Sequence, residues 1–354
     1  MSGPIDLAMK LASNTARVGW FYGVNRLIAD RLVPPDRQSN YKPARPVPTR
    51  GELFGDLRQL LIEDAADASK GTNPGSEWRP RRLSRHIDTL RAMLRDLPTT
   101  VERREQGVYD TAKAFASEDD LPEYYAQDFH FQTGGHLTEE SARIYDVQVE
   151  TLFYGSADAM RRAAFRPIHD YMSGRDQRKA SLLDVACGTG RFLRDVRRLY
   201  PRITLAGLDL SPAYLEEAER HLGDLRPVRW LRANAEAMPV ETASQDVVTS
   251  IFLFHELPPE ARRAVIGEVA RVLKPGGIFV MIDSLQYDDK PGWDGLLEAF
   301  PERFHEPYYR HYLIDDLPAA FERAGLTLTG SRLIFLSKLL AFVKPGEAGQ
   351  ESDQ

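Results

Sequence analysis

Residues 182–193 read LLDVACGTGRFL: an apolar run that ends on Asp184, turns on Gly188 and Gly190, and passes directly into an amphipathic pattern. Small residues at such a strand-to-helix turn let a ligand approach the backbone, because no side chain stands in the way. The missing residues narrow the ligand. A dinucleotide turn of the form G-x-G-x-x-G would need glycine at position 193, which is Leu193, and no G-x-x-x-x-G-K-[ST] run occurs. The turn therefore lacks a grip for pyrophosphate. Asp209, in GLDLS, stands 25 residues after Asp184 at the end of the next expected strand. A carboxylate placed there can accept hydrogen bonds from both hydroxyls of a ribose. The combination suits an adenosine ligand that carries no phosphate. Each acid also has a plainer reading, Asp184 as a turn cap and Asp209 as a helix N-cap.

S-adenosylmethionine is a ligand of that description, and at this point the sequence resembles the class I S-adenosylmethionine-dependent methyltransferases. LLDVACGTG resembles the first motif of that family, with Ala186 where a glycine commonly stands, and GLDLSP resembles the ribose-binding second. RANAEAMP resembles the third, QDVVTSIFLFHELP the fourth, and EVARVLKPGGIFVMIDS the helix, turn and strand that follow. The resemblance runs from about 182 to 343 in the family's order. It implies an α/β fold, a Rossmann-like and mostly parallel seven-stranded sheet with an antiparallel edge hairpin. It also implies cofactor contacts at Asp184, Ala186, Gly188, Gly190, Asp209, Leu210, Asn234, Ala235 and Phe252, with the amide of Asn234 near the adenine. The implied reaction is in-line methyl transfer to a small-molecule acceptor: a thiol or sulfide, a phenol or quinol oxygen, or an amine.

Acceptor chemistry of the hydroxyl or thiol kind calls for a proton acceptor. His255, at the end of the expected fourth strand, is the best-placed base, and closing that strand by a hydrogen bond is its alternative role. Two segments rich in aromatics and histidine are expected to cover the site. Residues 124–146 supply Tyr125, His130 and His136, and residues 283–312 supply His305, Glu306 and Tyr309. Tyr125, His130 and His305 join His255 as catalytic candidates. Such segments exclude water and line a cavity friendly to uncharged or aromatic groups. Cys187 reads as a small packing residue, and His86, His169 and His221 as surface positions. No His, Cys or acidic residues are spaced as metal ligands, so no metal is expected.

Strands and helices must position these groups. Their regular alternation from 181 onward predicts a parallel sheet covered on both faces. Strands are expected at 181–186, 203–210, 228–232, 246–254 and 278–283, with a turn at 274–277 and a hairpin at 326–343. Upstream, helices are expected at 1–33, 51–70 and 82–95. The first would bury Trp20, Phe21, Val24, Leu27, Ile28 and Leu32 and stop at Pro34-Pro35, where an extended connector to Pro48 begins. Four regions follow: an N-terminal helical region at 1–115, an arm with helices over the active site at 116–180, the cofactor domain at 181–345 with an acceptor-side insertion at 284–313, and a disordered tail at 346–354.

The whole chain of 354 residues carries a net charge of −6, against a general nucleic-acid binder. The charge is uneven: residues 1–110 hold 18 basic and 14 acidic side chains, and the remainder 28 and 38. One cysteine forms no internal disulfide, and no apolar run is long enough for a signal peptide or a membrane span, so a cytoplasmic location is expected. The Trp20-Phe21 helix is expected to dock on the chain or on a second copy of it, and a lipid-like quinol acceptor would bring peripheral membrane contact. The Arg79, Arg81, Arg82 and Arg85 cluster reads as a solvated helix start. Two other function classes share a nucleotide turn: an oxidoreductase, opposed by Leu193, and a scaffold with a degenerate site, opposed by intact Gly188, Gly190 and Asp209.

Overall fold

The computed structural model describes residues 4–28, 41–76, 83–115, 121–225 and 227–346. The expected Pro34-Pro35 stop, Leu32, the arginines at 79, 81 and 82, and most of the acidic tail lie outside those residues. Seven strands form one sheet: β1 Ser181–Val185, β2 Thr204–Asp209, β3 Arg229–Arg232, β4 Gln245–Ile251, β5 Leu273–Ser284, β6 Thr327–Ile334 and β7 Ser337–Val343. Their spatial order is β3-β2-β1-β4-β5-β7-β6. β1 to β5 pair in parallel, while β7 runs antiparallel to both β5 and β6. The fold is the expected Rossmann-like α/β sheet with an antiparallel edge. Strand order reverses between β1 and β4, so their carboxyl ends flank the crevice where such sheets take ligands.

Helices α1 Pro4–Leu27, α2 Arg50–Lys70 and α3 Leu83–Gln106 precede the sheet. α4 Glu139–Leu152, α5 Ala157–Arg162 and α6 Phe165–Met172 lead into it, and α7 Arg191–Leu199, α8 Pro212–Leu222 and α9 Pro259–Val272 connect its strands. The insertion after β5 holds α10 Asp294–Arg303 and α11 Tyr309–Tyr312, and α12 Leu317–Arg323 precedes the hairpin. Local signals explain several boundaries. Thr49 and Glu52 form a reciprocal capping box at α2, and left-handed Gly71 ends it. Ser211 caps α8 through its hydroxyl, with Pro212 in the first turn, as the sequence predicts.

Four expectations need correction. α3 continues past the expected end at 95, through Pro98 to Gln106, and its buried side chains include Ala92, Met93 and Val101. On α1, Phe21 and Val24 are buried, but Trp20 is 40% and Leu27 39% exposed. Residues 274–277 belong to β5 as an irregularity, where pairing skips from Gln245↔Leu273 to Val247↔Ile278. β4 ends at Ile251, so His255 lies in the short 3-10 turn Phe254–Glu256 rather than in a strand.

The N-terminal helices are not a separate body. Leu57, Leu60 and Leu61 of α2 join the core of the sheet, and Phe21 and Val24 of α1 pack with Met93 of α3 and Ile144 and Val147 of α4. Buried ion pairs reinforce the joint. Arg17 of α1 reaches Glu150 (2.8 Å) and Asp158 (2.7 Å), and Asp158 also pairs with Arg161 and Arg191. Arg191 opens α7, directly after the glycine turn, so α1 is tied electrostatically to the segment that shapes the crevice. No described helix is long and apolar enough to cross a membrane.

Candidate active site

After β1 the backbone turns through Ala186, Gly188 and Gly190, with φ of 56°, 54° and 69°. A left-handed alanine costs about 1 kcal/mol, a local strain characteristic of ligand sites. The Gly188 N–H donates to Asp209 Oδ2 (2.8 Å) and the Ser211 N–H to Oδ1 (2.9 Å). These bonds fix the carboxylate, and each oxygen keeps a lone pair for a ribose hydroxyl. Burial raises the Asp209 pKa against the pull of the two N–H donors.

Ala186, Gly188, Asp209, Leu210, Asn234, Ala235 and Phe252 all line one cleft, with about 770 Å³ of empty space including its mouth. Asn234 Oδ1 accepts the Glu236 N–H, and its Nδ2 donates to Glu236 Oε1 (3.0 Å), which also accepts the Tyr124 hydroxyl (2.7 Å). The arm is thereby latched over the third-motif loop. A wedged ribose acid, small backbone-lined walls and an amide at the far end fit an adenosyl group.

Two members of the expected cofactor set sit behind the cleft instead. Asp184 is 2% exposed and accepts the Thr249 hydroxyl (2.6 Å), tying β1 to β4. Burial pushes its carboxyl up to about 7, the Thr249 hydroxyl opposing and the Asp209 charge assisting. At Gly190, a Cβ would lie 2.9 Å from Ala218 Cβ, so glycine there permits α7 to pack on α8. Cleft-lining and supporting positions alternate within one turn, and residue spacing does not separate them.

A second cavity, with about 1100 Å³ of empty space including its mouth, adjoins the first, and Tyr145, Phe252 and Glu256 line both. Its walls include Phe153, Leu296, Phe300 and Phe304, and its polar groups include His130, His255, Ser284 and Tyr309. The left-handed Phe252, φ 62°, stacks on Phe153 at 5.7 Å between ring centres. His255 Nδ1–H donates to Asp283 Oδ1 (2.6 Å), and Asp283 also receives the N–H groups of Leu253, Phe254 and Ser284. Burial opposes the charged imidazole, but Asp283, with Glu306 and Glu256, outweighs it and lifts its pKa to about 10. A ring held protonated through neutral pH donates a hydrogen bond more readily than it removes a proton.

The remaining catalytic candidates divide. His130 faces the second cavity, its Nε2 2.8 Å from Glu306 Oε1. Tyr125 lines the cofactor cleft, where burial holds its phenol neutral. His305 lines neither cavity: its ring stacks on Tyr109 (4.2 Å) and its Nε2 meets Gln127 Oε1 (2.9 Å), docking the insertion on the arm. Glu256 faces the cleft, with Oε2 3.4 Å from His136 Nε2. Burial lowers the His136 pKa, and the Glu256 carboxylate more than reverses this. Spacing gave no signal for Tyr145, which lines both cavities, or for Asp283, which is engaged only where the end of β5 meets the turn after β4. His221, expected at the surface, is largely enclosed, with Nδ1 3.5 Å from Asp146 and Nε2 3.3 Å from Arg191. Cys187 is buried, and burial raises its thiol well above the ordinary range, in line with a packing role.

Comparison with known proteins agrees with this geometry. A methyltransferase-domain family model matches residues 182–277. The chain is 31% identical over 216 residues to the ubiquinone/menaquinone biosynthesis C-methyltransferase UbiE of Methylobacterium nodulans, covering 54% of this chain and 82% of that relative. It is 32% identical over 118 residues to a malonyl-[acyl-carrier protein] O-methyltransferase of Hahella chejuensis, covering 32% of this chain and 41% of that one, less than half its length. The crystal structure of a SAM-dependent methyltransferase from Aquifex aeolicus is 19% identical, with a TM-score of 0.38 and coverage of 51% of this chain and 89% of that one. The oxidoreductase reading is set aside. With S-adenosylmethionine as its cofactor, the chain belongs to the class I S-adenosylmethionine-dependent methyltransferases.

Proposed function

We propose that this enzyme methylates a small aromatic acceptor of the phenol or quinol kind. The observation that carries the reading is the apolar, phenylalanine-walled cavity that shares Tyr145, Phe252 and Glu256 with the cofactor cleft. S-adenosylmethionine, when bound, supplies a sulfonium methyl group, so the protein's work is alignment and exclusion of water. Asp209 and the Gly188 turn would hold the sugar, and Asn234 would meet the base. Phe153, Phe300 and Phe304 offer faces and edges to an aromatic ring. His255, with Ser284 and Tyr309 beside it, presents hydrogen-bonding groups to an acceptor oxygen. A small free thiol cannot span such a cavity, and an ammonium must shed its hydration and its proton before it can accept a methyl group.

The test is transfer of labelled methyl from S-adenosylmethionine onto matched phenols, quinols, thiols and amines. Product with the first two classes, at a kcat/KM well above the others, is expected. Product confined to thiols or amines would refute the reading.

A further inference from the structure

We propose that His130, Glu256 and Glu306 form a binding site for a divalent first-row cation at the junction of the two cavities. One ligand atom from each, the His130 imidazole nitrogen and a carboxylate oxygen of each glutamate, lie within 4.8 Å of one another. An octahedral ion with bonds of about 2.1 Å spans its ligands by at most about 4.2 Å, so a small side-chain adjustment closes the set. The residues are 126 and 50 positions apart in the chain. That separation is why residue spacing led to an expectation of no metal.

Glu306 is the second, independent observation. Its side chain is wholly buried, and neither carboxylate oxygen accepts a hydrogen bond. Among the described residues, the one group within ion-pairing reach is His130 Nε2, itself a member of the set. An enclosed carboxylate whose one near nitrogen makes no aligned hydrogen bond to it is costly unless a cation meets it. His130 is held for this encounter under strain: its backbone sits at φ 56°, ψ 21°, secured by its N–H bond to the His305 carbonyl (3.2 Å). A non-glycine residue in that region costs about 1–3 kcal/mol, and such strain concentrates at functional sites.

One imidazole and two carboxylates suit Mn²⁺ and its neighbours rather than a thiolate-seeking ion. His130 and Glu256 line the acceptor cavity, so open coordination positions would face an acceptor oxygen, polarise it and lower its pKa. That last clause rests on the acceptor reading above; the cation site itself does not.

The experiment is Mn²⁺ titration of chelator-treated protein, followed by electron paramagnetic resonance, on wild type, Glu306→Gln and His130→Gln. Wild type should bind one ion. Each variant should bind it about 100-fold more weakly or worse, since losing a direct ligand costs at least as much as losing an outer partner. Unchanged S-adenosylhomocysteine affinity in the variants identifies folded protein, and either variant that meets this standard decides the outcome. Wild type that binds neither Mn²⁺ nor Zn²⁺ at sub-millimolar concentration overturns the proposal. So does a folded variant that binds Mn²⁺ as tightly as wild type. No acceptor enters the measurement, so failure here leaves the phenol and quinol reading standing.

Discussion

The imidazole of His255 is aimed by Asp283, whose Oδ1 lies 2.6 Å from Nδ1 and whose two oxygens also receive three backbone N–H groups. The carboxylate joins the end of β5 to the turn after β4, and His255 lines the second cavity with its Nε2 3.9 Å from Glu256 Oε1. His255→Ala should lower kcat/KM by about 10- to 100-fold, the worth of one charge-assisted hydrogen bond. S-adenosylhomocysteine affinity, measured by calorimetry, should stay within about twofold because the ring does not line the cofactor cleft. A matching loss of cofactor affinity would move His255 out of the acceptor role.

Stability should depend on pH through Asp184. Its folded carboxyl titrates near 7, raised by burial, against an ordinary value of about 3.9 in the unfolded chain. The folded state therefore holds the proton more tightly. The contribution is fully present below the unfolded value and disappears as pH rises through the folded one. Between about pH 4 and 7, wild type should lose about 2–4 kcal/mol relative to Asp184→Asn. Urea midpoints of both proteins across that range provide the check, and parallel curves would contradict it.

The two glycines of the turn should fail differently. Gly190→Ala adds a left-handed side chain that also collides with Ala218 at 2.9 Å, so a loss of about 2–5 kcal/mol is expected. Gly188→Ala meets nothing nearer than Tyr214 at 4.0 Å and should cost only about 1–2 kcal/mol. Its methyl would intrude on the cofactor wall, lowering S-adenosylhomocysteine affinity by about tenfold. Thermal melts paired with calorimetry distinguish the two.

Removing Arg17 should test whether α1 is integral. Arg17→Ala removes one guanidinium from the enclosed Glu150 and Asp158, which keep Arg161 and, for Asp158, Arg191, so a loss of about 1.5–3 kcal/mol in urea unfolding is expected. Burial already raises the Glu150 pKa despite Arg17, so without that guanidinium the carboxyl should protonate more readily still. A variant as stable as wild type would show α1 to be dispensable.

Local chemistry made the glycine-turn cleft readable. Gly188 follows β1 and Asp209 ends β2, both largely buried apolar runs, whereas Asn234 follows the short, partly exposed β3, and backbone geometry at a strand end needs only neighbours in sequence. The same locality explains the parallel sheet, the Ser211-Pro212 helix start and the edge hairpin. It also explains the errors, since no local signal told that Pro98 would be carried inside a helix or that α1 would bury Arg17.

What the linear chain determined, then, is the strand-and-turn frame and the cleft at the glycine turn, because hydrogen bonds and apolar periodicity act over a few residues. Tertiary packing alone decided the second cavity and its charged rim. His130, Tyr145, Glu256, Asp283 and Glu306 come from five separate stretches, and their joint electrostatics exist only where burial removes the water that would otherwise screen them.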